Sequence, residues 1–295
     1  MVHRPIHLIV VCLAASLAAG VILGAQARER IAYVSLIDRE TGAAKDDVQA
    51  SDIVIREDDV TREVVRVAPA TGPMPIAVLV DTSAAAESTI PDVRSALTAF
   101  IATLGDVGPV ALVAFGERPT VLTDYSSVPA ALTAGIGKVF ARPGAGATLI
   151  EAVYETAGGL SRRESERAAI VVLSATTPEL STMHFTRALE RLQESGASLH
   201  VVTLSTPGRA RFDDNARQRD TLFDRGVSQT GGTRRDVVSS MAFSQAMTDV
   251  ARVLTHQFRV VYVRPQTLIP PDTFQVTAAS PGLTAYGGVA RGQSK

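Results

Sequence analysis

The stretch Ile76-Ala77-Val78-Leu79-Val80-Asp81-Thr82-Ser83-Ala84-Ala85 decides the fold. Its first half is an unbroken apolar run, which reads as a strand covered on both faces. Its second half leaves that strand with a carboxylate, Asp81, followed by the hydroxyls of Thr82 and Ser83. A helix is expected next, because Val93, Leu97, Phe100, Ile101 and Leu104 recur at helical spacing. Pro91 suits its first turn, and Gly105 its end.

Outward from this unit, strands and helices keep alternating. Strand patterns fall at residues 110–115, 121–122, 169–173, 199–204 and 237–238, and helical patterns at 130–140, 149–160, 183–193, 221–228 and 243–254. The fold class is therefore α/β, a mostly parallel, doubly wound, Rossmann-like sheet with helices on both faces. Both ends change character. Residues 31–37, 53–55 and 64–67, and again 258–263, 274–277 and 283–286, are β-like segments between turns. Each set alone is too small to bury a core, so the tail is expected to pack with the N-terminal strands. The expected organisation is a signal peptide at 1–27, a β subdomain at 28–72, the α/β domain at 73–256 and a β tail at 257–295.

Composition narrows the function. The 295 residues are 46% hydrophobic and 20% charged, ample for a sizeable core. With 29 basic against 30 acidic residues the chain lacks the basic footprint of a nucleic-acid binder, and no nucleic-acid partner is expected. A single cysteine, Cys12, excludes a disulfide framework, a cysteine-rich zinc site and an iron–sulfur cluster. That cysteine sits in the uncharged run 8–24, behind Arg4 and ahead of Ala25-Gln26-Ala27, the pattern of a secretory signal cleaved after Ala27. Val11 before Cys12 argues against a lipoprotein. The alternative to cleavage is a retained anchor, since the run is at the lower limit of a membrane span. With cleavage, the protein is secreted or periplasmic and keeps no stable membrane span.

Ligands of open parallel sheets gather at the carboxyl ends of the strands. Asp81 and Ser83 stand at one such end, and the small-residue loop Pro143-Gly144-Ala145-Gly146-Ala147-Thr148 offers a hydroxyl to the same region. Such oxygen ligands suit a hard divalent cation. Here the sequence resembles a von Willebrand factor A-type domain, over residues 75–254, with its metal-ion-dependent adhesion site. The Asp-x-Ser-x-Ser element reads Asp81-Thr82-Ser83-Ala84-Ala85, the loop threonine is Thr148, and the aspartate expected after the strand 169–173 is Ala175, in Leu173-Ser174-Ala175-Thr176. One hydroxyl and one carboxylate of the pattern are thus alanines. The segments Ala50-Ser51-Asp52-Ile53, Gln229-Thr230-Gly231-Gly232, Phe258-Arg259-Val260-Val261-Tyr262-Val263 and Pro281-Gly282-Leu283 are similar to secreted acidobacterial von Willebrand A-related proteins. That resemblance implies an exported A-type domain embraced by β segments, without an established reaction.

Ligand number and charge set affinity for hard cations, so Asp81, Ser83 and Thr148 are expected to hold magnesium weakly or not at all, and no other cofactor is implied. Glu151 and Glu87 are placed to supply a replacement carboxylate, but read more simply as solvated charges. Asp81 and Ser83 have a structural reading too, with Asp81 accepting loop amides and Ser83 capping a turn. His184, His200 and His256 lack metal-ligand spacing, and no Gly-x-Ser-x-Gly elbow is present. Arg162, Arg163 and Arg167, interleaved with Glu164 and Glu166, read as a solvated helix end, and the polar run 209–219 as an exposed loop. The expected function is a non-catalytic, adhesion-type module that binds a protein or cell-surface ligand through the loops of Asp81, Ser83, Thr148 and Thr176. The alternatives are a metal-assisted or serine-type hydrolase at the same cleft and an envelope-associated scaffold.

Overall fold

The computed structural model describes residues 27–175, 178–205, 213–265, 269 and 271–292. Cys12 and the signal segment up to Gln26 lie outside the described residues, as does Thr176. The chain opens with β1 (Ala27–Asp38), β2 (Ile53–Glu57) and β3 (Val60–Pro69). It then alternates through β4 (Ile76–Val80), α1 (Ile90–Leu104), β5 (Val110–Ala114), β6 (Thr120–Ser126), α2 (Pro129–Gly137), α3 (Leu149–Ser161), β7 (Ala168–Ser174), α4 (Phe185–Ser195), β8 (Ala197–Leu204), α5 (Asp214–Thr230), β9 (Arg234–Val237) and α6 (Phe243–Thr255). It closes with β10 (Phe258–Pro265), β11 (Phe274–Ala278) and β12 (Leu283–Val289).

One sheet has the order β6-β5-β4-β7-β8-β9 and is parallel except for β6. Every residue of β4 and of β7 is buried, which is why both read as unbroken apolar runs. Helices α1, α2 and α6 cover one face, where Val93, Leu97, Phe100, Met247 and Val250 join Val78 and Val171 in one core. On the other face α3, α4 and α5 bring Leu149, Val153, Leu192, Leu222 and Phe223 to Leu79, Ile170 and Val172. Truncating a core side chain such as Leu79 to alanine costs about 2–5 kcal/mol. The register aligns Val80 with both Ala114 and Leu173, so β4, β5 and β7 end at the same level and their loops form one rim.

The strands at the two ends form a second, antiparallel sheet of order β11-β2-β3-β10-β1-β12. Its strands are longer than the short segments legible in the sequence: β1 runs for 12 residues and pairs with both β10 and β12. Its apolar face holds Val34, Leu36, Ile55, Val260 and Tyr262. Its other face docks on the α/β layers, with Ser35 Oγ donating to Val253 O at 2.6 Å and the Tyr33 hydroxyl to Glu166 at 2.6 Å. At the end of α5, Gly231 has φ +69°, and a Cβ there would stand 1.7 Å from Gly287 O, so β12 approaches this helix end at a distance only glycine permits.

Two expectations about polar segments are corrected. Helix α5 starts at Asp214, not near Thr221, because Asp213 caps it by accepting the Asn215 N–H at 3.0 Å. Its first turns bury Ala216 and Arg219, a face that an apolar count overlooks. Arg167 is not solvated: it is buried and donates to Gly72 O, Ala70 O and Gln257 Oε1, joining β7 to the segments beside β3 and β10. Among the described residues no helix is long and apolar enough to cross a membrane.

Candidate functional site

The rim above the parallel sheet carries Asp81, Ser83 and Thr148 of the predicted site residues, and local hydrogen bonds explain their placement. Asp81 N–H donates to Leu173 O at 3.0 Å, extending the β4–β7 pairing by one residue. The Asp81 side chain is thereby buried between two strand ends. Its Oδ1 accepts Ser83 N–H at 3.0 Å, and its Oδ2 accepts Ala175 N–H at 3.1 Å and lies 3.3 Å from the Ser174 hydroxyl, which shares its proton with Ala175 O at 2.8 Å. The chain after Ser83 turns into a short 3-10 segment, Ala84–Thr89, ahead of α1. Ser83 was expected to cap that turn, but its Oγ makes no cap bond and is buried without a hydrogen-bond partner among the described residues.

Thr148 reaches the same rim from the neighbouring strand. Phe115 N–H donates to Val80 O, and Thr148 N–H donates to Phe115 O at 2.9 Å, with the Thr148 hydroxyl on the same carbonyl at 3.4 Å. The loop before Thr148 is tied to the Asp81 loop by Arg142 N–H to Thr82 O and Ala84 N–H to Ala145 O, both 2.9 Å. Gly116 completes the junction, its N–H donating to Thr82 Oγ1 at 3.1 Å. Ala85 is exposed, while Ala175 is buried and offers Asp81 its backbone N–H. The residues do not fit a tightly held divalent ion: the carboxylate at the centre is engaged by N–H and O–H donors, and Ala85 and Ala175 offer methyl groups where the sequence resemblance calls for a hydroxyl and a carboxylate.

A pair of carboxylates, Glu179 and Glu151, adjoins Thr148. Glu179, which sequence reasoning missed, is 1% exposed and accepts Leu149 N–H, at the first turn of α3, and Ser181 N–H, both at 3.1 Å. The Ser181 hydroxyl donates to the same oxygen and accepts Ile150 N–H at 3.1 Å. Burial pushes the Glu179 carboxyl up to about 7, against the pull of the Ser181 hydroxyl and amide, the Arg219 charge and the Leu149 amide. Glu151 is not the solvated charge expected. Its Oε1 accepts Thr182 N–H at 2.7 Å and Met183 N–H at 3.1 Å, and although burial opposes ionisation, these bonds and Ser181 lower its pKa. Together the two carboxylates latch residues 178–183 onto the start of α3. The only local hint in the sequence is a glutamate and a serine two residues apart beyond a strand end.

The remaining candidates lie elsewhere. His200 is buried in β8 between Thr233 Oγ1 and Ser198 Oγ, each 3.0 Å away, and burial lowers its pKa to about 3. His184 caps α4, and His256 follows α6 with its Nε2 3.6 Å from Asp46. None of them serves Ser83 as a base. Glu87 is exposed. The rim also carries apolar side chains in the open: Phe140 is 61% exposed, Leu180 55%, Val238 88% and Met241 82%. Leu180 packs over Gly146, and Ser240, between Val238 and Met241, bonds Asp92 in the first turn of α1.

No family model and no curated protein matches the sequence. Solved structures do. The protein "von Willebrand factor type A from Catenulispora acidiphila" is 12% identical, with a TM-score of 0.50 over 90% of this chain and 74% of that one. Proximal thread matrix protein 1 of the mussel byssus is 11% identical, with a TM-score of 0.50 over 64% of this chain; the match spans 50% of that protein's length. At this level of identity the likeness speaks for architecture alone, and the architecture it shows is the von Willebrand A-type α/β fold, here with an antiparallel sheet built from the two ends of the chain.

Proposed function

We propose that the chain is an exported, non-catalytic protein-binding module whose contact surface is the loop rim around Asp81, Ser83, Thr148 and Thr176, and that it binds without a resident divalent cation. The reading rests on one observation: the Asp81 carboxylate is satisfied by Ser83, Ser174 and Ala175 of the same chain, so it serves to hold the loops rather than to present a metal. Phe140, Leu180, Val238 and Met241 then supply what the lost ligands do not, exposed apolar contact area on a rigid frame. Among the described residues no histidine bonds Ser83 Oγ to activate it, which disfavours the hydrolase reading. The signal segment and the likeness to secreted acidobacterial A-related proteins belong to the same proposal.

A photo-crosslinking residue at position 241, compared with one at exposed Val65 in β3, tests it in the native envelope fraction. The expected result is a discrete, competable adduct at 241 that survives EDTA and is lost on Val238→Asp. Adducts that are equal at both positions, or that vanish with EDTA, contradict it.

A further inference from the structure

Away from the rim, the antiparallel sheet encloses a cluster of charge at one end of its apolar interior. Arg264 on β10, Arg30 on β1 and Glu57 at the end of β2 are each at most 5% exposed. Glu57 Oε2 lies 3.0 Å from Arg62 Nε and 3.4 Å from Arg264 Nε, and Oε1 accepts the Tyr262 hydroxyl at 2.9 Å. Arg30 stands opposite Tyr262 in the β1–β10 register, and Arg28 opposite Arg264. Burial, and then the like charges of Arg28 and Arg264, lower the Arg30 pKa.

Glu57 is the carboxylate that Arg62 and Arg264 share, so among the described residues positive charge is in excess here. Arginine does not escape by losing its proton. Arg264 Nη2 donates to Ile269 O, but Nη1 is buried and, among the described residues, has no hydrogen-bond partner. A buried guanidinium N–H left unmade is costly, and the group that satisfies both its geometry and its charge is an oxyanion. A cavity of about 730 Å³ reaches Glu57 and Tyr262 at the margin of the cluster. We propose that Arg264, flanked by Arg30 and Arg62, binds a small oxyanion of the phosphate, sulfate or carboxylate class inside the antiparallel sheet. This site is independent of the loop rim and of the function proposed for it.

The test follows the melting temperature of the full chain in phosphate, sulfate or acetate at about 10 mM, against chloride of equal ionic strength, where a specific ligand raises it by at least about 2 °C. The three salts separate tetrahedral from planar anions. The rise is expected in the wild type and in Arg66→Met, which alters an exposed arginine of the same sheet, and is expected to be absent in Arg264→Met. Sulfate and phosphate also stabilise proteins non-specifically, so an equal rise in Arg264→Met overturns the proposal, as does no rise over chloride in the wild type. If Arg264→Met does not fold, isothermal titration of each salt into the wild type decides: saturable heat with one of them supports the site, and its absence with all three removes it.

Discussion

Asp81 Oδ2 accepts the backbone N–H of Ala175 at 3.1 Å, so the carboxylate ending one central strand is bonded to the residue that follows its neighbour. This bond and those to Ser83 and Ser174 are charge-assisted and buried. Asp81→Ala leaves their donors unsatisfied and is expected to cost about 3 kcal/mol in denaturant unfolding. Asp81→Asn retains one acceptor but sets an amide NH2 against a backbone N–H, and is expected to fall between alanine and wild type.

Glu179 makes stability depend on pH. Its carboxyl titrates at about 7 in the fold, above the ordinary 4.5, so the folded protein holds a proton that the unfolded chain releases. The stabilisation is complete below pH 4.5 and is lost as pH rises toward 7, with a magnitude on the order of 3 kcal/mol. Glu179→Gln is expected to flatten this limb when unfolding free energy is compared across that window. His200, lowered to about 3 from 6.5, contributes the opposite slope: stability falls as pH drops below 6.5, and His200→Gln removes that part.

Arg167 joins the two sheets through the carbonyls of Gly72 and Ala70 and the amide of Gln257. Arg167→Met is expected to cost about 2–4 kcal/mol, because those acceptors stay buried without their donor. Arg167→Lys keeps the charge without the planar fork and is expected to recover less than half of the loss on thermal melting.

Gly231→Ala forces a Cβ into the Gly287 carbonyl at a positive φ, and is expected to destabilise by more than about 2 kcal/mol. Gly159→Ala is the contrasting substitution. Nothing lies within 4 Å of a Cβ at that position in α3, and it is expected to stabilise by about 0.5–1 kcal/mol.

Much of the α/β layer is legible in the sequence because β4 and β7 are buried on both faces and therefore read as uninterrupted apolar runs. The start of α5 is not legible, since an arginine shares its buried face and a side-chain cap rather than apolar periodicity begins it. The β segments show in their alternation, but the order β11-β2-β3-β10-β1-β12 joins strands from opposite ends of the chain, and no local pattern encodes that partnership. Asp81, Ser83 and Thr148 stand out through their motif. Glu179 and Arg167 do not, because each owes its position to contacts from distant segments, and an isolated charge in a sequence reads as surface.

Whether the rim works without a resident divalent ion is decided by melting the purified chain in EDTA and in increasing magnesium or manganese. An ion held by the folded site must stabilise it. The melting temperature is expected to stay unchanged through about 5 mM of either ion. A saturable rise that disappears in Asp81→Asn would contradict it.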